Sequence, residues 1–337
     1  MKNWQKPFLV IALLAGVTLL FLASRYGKAQ PLVVYCSHDS VYSEEVLRAF
    51  EAESGIPVEI RFDTEATKSL GLIELIIREA DAPRCNVFWN NELLGMVDLH
   101  ARGLLEPYQG PGWERIPAAF KEPAGHWAGF GARLRVVISN NDTGPADLAE
   151  FATRLEAPDL SRFAIAKPLY GTTLTHYCAL WNTLGEAGLK AQHADWLARG
   201  LTVANGNGTT KNLVSEGVCD VGWTDTDDYF LARDAGKPVH AMPARLPNGK
   251  TISIPNTVGI IRGSQQQGAA RKLVDYLLSE ACEVRLANAR SRQIPLGPVP
   301  AGSIPKEVQE LVPWAAESTP LADLHGIRQS VIDWLQE

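Results

Sequence analysis

Residues 223–230, WTDTDDYF, set three carboxylates, Asp225, Asp227 and Asp228, within four positions, straight after the apolar run GVCDVGW. Carboxylates this close raise one another's pKa unless a cation, an amine or helix N–H groups offset their charge. Such a cluster suits a hard cation through its oxygens, or an amine. Asp225 stands where a helical pattern begins, so its expected role is an N-cap.

Other polar segments also follow apolar, β-branched runs. Ser37, His38 and Asp39 come after LVVYC, and Asp63, Thr64, Glu65 and Thr67 after VEIRF. Asn90, Asn91 and Glu92 come after NVFW. Gly171, Thr172 and Thr173 follow RFAIAKPLY, and Asn205, Gly206, Asn207 and Gly208 follow LTVA. Taken singly, a Thr or Asp before a helix is an N-cap, a lone His is structural, and Asn-Gly is a turn. Their convergence at the carboxyl ends of strands marks a ligand site.

Enzyme motifs do not accompany them. Ser37-His38-Asp39 spells a triad, but neighbours on an extended chain point in opposite directions, and a triad is defined by geometry. No G-x-S-x-G, H-E-x-x-H or P-loop pattern occurs. DTDDYFLARDAG opens like a calcium loop but lacks Gly at its sixth position and Glu at its twelfth.

The elements that must position these residues follow from periodicity. PLVVYCS, IPVEIRF and CNVFWNNE read as strands. YSEEVLRAFEAESG between the first two is a helix with Val46, Leu47 and Phe50 on one face and Gly55 as its stop. TKSLGLIELIIREA, before the third, places Leu70, Ile73, Ile76 and Ile77 together. A second α/β unit runs through RFAIAKP, GTTLTHYCALWNTLG, LTVANGNGTTKNLVSEG and VCDVGWTDTDDYFLARDAG. Long extended stretches near 127–140 and 252–262 lie between units and read as crossovers of a hinged two-lobe protein. GAARKLVDYLLSEACEVRLANA reads as one helix, and GIRQSVIDWLQE as a packed terminal helix.

The 337 residues suffice for about two domains. Net charge is −6 and no basic stripe is present, which excludes nucleic-acid binding on electrostatic grounds. Five cysteines, Cys36, Cys85, Cys178, Cys219 and Cys282, show no C-x-x-C spacing and sit in apolar runs, as buried small hydrophobes do. Lys2 and Lys6, the uncharged run Phe8–Ala23 and the small-x-small Gly27-Lys28-Ala29 have the layout of a secretory signal. Residues 1–29 are therefore expected to be a signal peptide or N-terminal anchor, with the protein in the periplasm or cell envelope.

LVVYCSHDS, FDTEATKSLGLIELI, NVFWNNELLGMVDLHARGLLEPY, KPLYGTTLTHYCAL and VGWTDTDDYFLARDAGKPV, followed by NTVGIIRGS and ARKLVDYLLSEACE, resemble the ferric-iron-type periplasmic solute-binding proteins of ABC importers in order and coverage. The resemblance implies an α/β, type II two-lobe fold, each lobe a sheet flanked by helices, joined by two crossover strands. Lobe one would be 30–128 with 258–295, and lobe two 129–257 with 296–337. It implies a non-enzymatic monomer that delivers its ligand to an inner-membrane permease.

The ligand implied is iron(III) with a synergistic anion, as cargo rather than catalytic cofactor. The metal ligands carried over are His38, Glu92, Asp227 and Asp228, the last two where the family places paired tyrosines. Gly171, Thr172 and Thr173 match the family's anion-binding helix start. Ser37, Thr64, Asn91, Asn205, Asp225 and Thr226 complete the expected ligand-binding set. A small organic zwitterion such as an aminophosphonate is the alternative cargo. A hydrolase or sensor domain is the alternative of another class.

Overall fold

Apolar runs of four or five residues, too short for helices and rich in β-branched side chains, form the centre of the molecule. The computed structural model describes residues 30–63, 70–300 and 302–337; the apolar N-terminal segment and Thr64 lie outside the described residues. Among these residues no helix is long and apolar enough to cross a membrane.

The first half follows the expected alternation. Strand β1 (Leu32–Cys36) leads to helix α1 (Ser40–Ser54), β2 (Val58–Phe62), α2 (Leu70–Arg78), β3 (Val87–Asn90) and α3 (Leu94–Ala101). A short β4 (Leu105–Glu106) and α4 (Pro111–Arg115) precede the long β5 (Ala128–Asn140). Then come α5 (Leu148–Leu155), β6 (Phe163–Ala166), α6 (Gly171–Ala198), β7 (Thr202–Ala204), α7 (Asn207–Ser215), β8 (Val221–Asp225), α8 (Thr226–Asp234) and β9 (Val239–Pro243). The chain closes with β10 (Ser253–Ile261), α9 (Gln267–Leu277), α10 (Glu280–Asn288), α11 (Lys306–Ala316) and α12 (His325–Gln336).

The strands line up as β2-β1-β3-β10-β5-β8-β6-β7, with β4 on β10 and β9 on β5. Pairing is parallel within β2-β1-β3 and within β8-β6-β7, and antiparallel around β5 and β10. Side chains alternate between faces along a strand. Leu32, Val34 and Cys36 of β1 join one buried cluster with Val46 and Phe50 of α1 and Leu273 of α9. Tyr35 of β1 joins the other, with Ile73 of α2 and Leu94 of α3. Both faces are covered, as parallel sheets require. The architecture is mixed α/β, with helices on both faces of the sheet.

The strand β5 spans both halves of the sheet. Its residues 128–134 pair with β10, and residues 135–140 with β8 and β9. Arg133 and Arg135, two apart, therefore share a face of the one strand that belongs to both halves. The stretch near 252–262 is β10, which pairs with β3, β4 and β5.

Some expectations need correction. The single helix expected across 268–289 is two, because Ser279 turns the chain out of helix and accepts from the Cys282 N–H at 3.1 Å as the N-cap of α10. Helix α6 is broken at Gly185, the point where the expected helical pattern ended. Helix α11, which contains Pro313, and the strand β9 lie where the Pro-rich sequence gave no periodic signal. All five cysteines are buried thiols. Burial pushes up the thiol pKa values of Cys85, Cys178, Cys219 and Cys282.

A bulge sits in the middle of β5, where the register with β10 shifts between Pro255 and Asn256. Gly131 occupies it with φ 45°. A Cβ there would approach Gln293 Oε1 to 2.6 Å and Leu286 Cδ1 to 3.1 Å. Gly131→Ala should lower stability by about 1–3 kcal/mol through the left-handed backbone alone, with the clash adding to it. A urea unfolding midpoint equal to wild type would show that the bulge relaxes freely.

Candidate functional site

Three strands of one half end in turns that start helices. β6 feeds Gly171 at the head of α6, β7 feeds Asn207 at the head of α7, and β8 feeds Thr226 at the head of α8. A helix start leaves N–H groups without partners inside the helix and carries a partial positive charge. The three starts are drawn together by Asp225, a buried register partner of Arg135 on β5. Asp225 Oδ1 accepts from Arg135 Nη1 at 2.8 Å, while Oδ2 accepts from Thr172 Oγ1 at 2.6 Å and Asn207 Nδ2 at 3.0 Å. Thr173 donates to Asn207 Oδ1 at 3.0 Å. Asp225 holds the N-cap position of α8, yet its side chain makes no capping bond. The expected cap is instead the anchor of a network, because a buried guanidinium is the stronger partner.

The other half builds its side differently. Ser37 Oγ donates to Asn90 Oδ1 at 2.6 Å and accepts from the Asn91 N–H at 3.2 Å, which ties the end of β1 to that of β3. Glu92, expected to hold a metal, is spent on α3. Its carboxylate accepts from the N–H groups of Leu94 at 2.5 Å and Gly95 at 2.8 Å, and from Asn90 Nδ2 at 3.0 Å.

His38, also expected as a metal ligand, is buried between Tyr42 and Trp89, with ring centroids 5.8 and 5.6 Å away. Its Nδ1 lies 3.1 Å from Arg133 Nη1 and its Nε2 lies 2.8 Å from Gln293 Nε2. Arginine can only donate, so Nδ1 accepts and its lone pair is taken. Neither His38 nor Glu92 lines the cavity. Both were carried over as metal ligands from the family resemblance; their side chains turn into the sheet instead.

Between the halves lies a cavity of about 270 Å³. Asp39, Tyr42, Asn91 and Arg133 face it from one side. Lys167, the 170–173 and 205–208 turns, Lys211, Asp225, Asp227 and Asp228 face it from the other. Thr226 is buried behind, with its Oγ1 3.3 Å from the Leu134 N–H. Thus Asn91, Gly171, Thr172, Thr173, Asn205, Asp225, Asp227 and Asp228 meet at one cavity. Ser37, His38, Glu92 and Thr226 support its walls.

Charge in this cavity is unevenly settled. Asp227 is 8% exposed, and its Oδ2 is 4.0 Å from Arg133 Nε, an ion pair without a hydrogen bond. Asp228 Oδ2 accepts from Thr224 Oγ1 at 2.6 Å. Burial raises the pKa of both above the ordinary carboxylate range; Asp228, Asp225 and Asp39 push Asp227 the same way, and Asp225 and Asp39 push Asp228; Arg133 opposes this at Asp227, as do Thr224 and Lys211 at Asp228. Tyr42 adds a buried hydroxyl with no hydrogen-bond partner. Its pKa is raised by burial first, then by Asp227, Asp228 and Asp39. A phenol and three carboxylates therefore face one cavity, Tyr42 and Asp39 from one side and Asp227 and Asp228 from the other.

Sequence reasoning missed Tyr42, Arg133, Arg135, Lys167 and Lys211. Arg133 and Arg135 did leave a signal: two cations at alternate positions of an otherwise apolar strand are out of place unless they are paired. Tyr42 left none, since at four residues before Val46 it reads as one more apolar position on α1.

A family model described as bacterial extracellular solute-binding protein matches residues 32–287. Iron uptake protein A1 of Synechocystis is 23% identical over 280 residues, 79% of this chain and 76% of that protein. Iron-bound HitA from Pseudomonas aeruginosa superposes with a TM-score of 0.75 at 18% identity, covering 92% of this chain and 100% of that one. The apo ferric ion-binding protein A of Pasteurella haemolytica superposes with a TM-score of 0.77 at 19% identity, covering 91% and 98%. At these identities the structural likeness shows the fold.

The raised pKa of Asp227 carries a signed consequence for the ligand-free protein. An acid held above its unfolded pKa contributes stability that is fully present below the unfolded value and is lost as pH rises through the folded one. Asp227→Asn should therefore melt higher than wild type at pH 8, and the gap should close as pH falls to the ordinary carboxylate range. Melting curves across pH 4–8 check this (conditions set at about the carboxylate and neutral ranges). A gap that widens toward acid would mean that Asp227 is stabilised as a carboxylate by Arg133.

Proposed function

The chain belongs to the bacterial extracellular solute-binding proteins, and on that premise we propose that it captures iron(III) with a synergistic anion in the cleft between its lobes. It is exported through its N-terminal segment, acts as a monomer in the periplasm and hands its cargo to an inner-membrane ABC-importer permease. Lobe one comprises 30–128 with 258–295, and lobe two 129–257 with 296–337.

The observation that carries this reading is that the Asp227 and Asp228 carboxylates and the unpartnered Tyr42 phenol face one cavity. Buried oxygen donors that repel one another cost free energy until a cation arrives. Carboxylate and phenol oxygens suit a hard, highly charged ion. The iron names carried by Iron uptake protein A1 and by iron-bound HitA support the choice of ion. The anion is assigned to the head of α6. The side chains of Thr172 and Thr173 are engaged with Asp225 and Asn207, so backbone N–H groups at Gly171–Thr173 receive it, with Lys167 and Lys211 on the same cavity. Because Asp227, Asp228 and Tyr42 hold protons more tightly than usual, binding the cation releases protons, and affinity rises with pH.

Calorimetric titration with iron(III) supplied as its citrate chelate tests the donor set. Asp227→Asn, Asp228→Asn and Tyr42→Phe should each lose about 2–5 kcal/mol of binding, the usual loss when a buried charged partner is removed, and all three should fold. Asp225→Ala should instead lower stability by about 3–5 kcal/mol, since it leaves Arg135 buried without its partner. Wild-type affinity in both Asn variants would remove the cation site. Tight binding of 2-aminoethylphosphonate in place of iron would move the cargo to the zwitterion class.

Closure is the second expectation. Both halves contribute to the cavity, so ligand should draw them together. Small-angle scattering should report a smaller radius of gyration at saturation with the iron(III) chelate. An unchanged radius would count against capture by hinge closure.

A further inference from the structure

We propose that His100, Glu122 and His126 form a second metal site, for zinc(II), at the end of α3 remote from the cleft. One ligand atom from each lies within 4.8 Å of the other two. Two imidazoles and a carboxylate are the three-ligand set of open zinc sites, whose fourth position is left to water.

The three residues come from two segments that are independently held. His100 lies in the last turn of α3, next to the fully buried Leu99. Glu122 and His126 flank a tight turn closed by Glu122 N–H to Trp127 O at 3.1 Å and Gly125 N–H to Glu122 O at 2.9 Å. The turn is tied back by the Tyr108 N–H donating to Gly125 O at 2.9 Å. Glu122 Oε2 accepts from the His126 N–H at 3.0 Å and lies 2.8 Å from His126 Nδ1. That contact fixes the orientation of the His126 ring beside the Glu122 carboxylate. A ligand set on fixed backbone loses little freedom when a metal arrives.

A turn braced by Glu122 and His126 alone does not require His100. Yet the His100 and His126 rings lie with centroids 4.3 Å apart, tilted by 43°. Two imidazoles this close cannot both be protonated cheaply. Burial lowers the pKa of His100, and His126, Arg262 and His325 push the same way against Glu122. The His100 ring thus faces a second ring and a carboxylate. The Arg262 guanidinium donates to Leu105 O at 3.2 Å. Arg262 is the charge that opposes a cation here, and Glu122 is the one that attracts it.

The site is separate from the cleft. Helix α3 starts beside Asn91 and runs for eight residues, which places its far end about 12 Å along the axis. None of the three residues lines the central cavity. Two residues after His126 the chain enters β5 at Ala128, the strand shared by both halves. A metal at this point clamps α3 to the entry of that strand.

The test uses the full chain carrying Asp227→Asn and Asp228→Asn, so that cleft binding does not mask the result. Zinc(II) titrated at pH 7.5 (about one unit above the histidine range) should bind with one equivalent and raise the melting temperature. His100→Ala or His126→Ala in that background should weaken zinc at least tenfold. Glu122→Gln, which keeps a carbonyl acceptor for the turn, should weaken it too. Cobalt(II) should give visible absorption bands of a four-coordinate site that vanish with either His variant. Affinity should fall as pH drops through the histidine range. Circular dichroism confirms that each variant is folded. Absence of zinc binding in the cleft-blinded chain, or binding unchanged by both His variants, would overturn the proposal. Iron(III) binding by the chain carrying His100→Ala alone should equal wild type, which keeps the two sites distinct.

Discussion

Arg135 and Asp225 are buried together on paired strands at 2.8 Å, and the starts of three helices depend on that contact. A guanidinium with no exposed surface is costly unless a carboxylate and further acceptors meet it. Asp225 meets it with one oxygen and uses the other to hold Thr172 of α6 and Asn207 of α7. Its own backbone leads into α8. One ion pair thus brings three positive helix ends to one wall, where no apolar contact could orient them. Arg135 Nε and Nη2 are buried without hydrogen bonds, so the pair is not optimised for stability. Its value lies in the position it enforces.

Because Asp225 is held by Arg135, Asp227 and Asp228 are the carboxylates of α8 left facing the cavity. Arg133 is the nearest candidate to balance them. It is divided among His38, the backbone carbonyl of Asn91 and a distant Asp227. Desolvation therefore dominates at Asp227 and Asp228 and their proton affinity rises. The result is a cavity lined by two kinds of group: the oxygens of Tyr42, Asp227 and Asp228, and the helix starts at Gly171 and Asn207 together with Lys167 and Lys211. A metal with its anion satisfies both ends at once, and a zwitterion would do so with less charge.

Arg133 and Arg135 also show how the two halves communicate. They lie two residues apart on β5, facing the same way. The first contacts His38 and Asn91 of one half, and the second contacts Asp225, Asn207 and Thr172 of the other. Any rotation of one half against the other must bend the strand between or beside these residues. The bulge at Gly131 is the irregular point of that strand. A hinge here would move the Asp227 and Tyr42 walls relative to each other while each arginine kept its own partners.

Local pattern was enough for most strands and most helices. LVVYC, FAIA and VGW are short apolar runs, and Val46, Leu47 and Phe50 are spaced for one helix face. Each of these segments carries the period of the element it forms. The polar turns that follow the strands, from Ser37 to Asp228, were legible for the same reason, and so was the family. Helix α11 was not, since Pro313 and neighbouring prolines hide its periodicity and packing against β5 supplies what propensity lacks. Sequence order also could not say which polar residue after a strand would face the cavity. Glu92 and Asp227 occupy similar positions, yet one caps a helix and the other lines the cleft. His38 turned inward because Arg133, 95 residues away, reached it. Tyr42 became a cleft residue only when Asp227 and Asp228 were brought opposite it. Side-chain direction depends on partners that the chain meets only after folding, and that long-range pairing is what the tertiary structure decided.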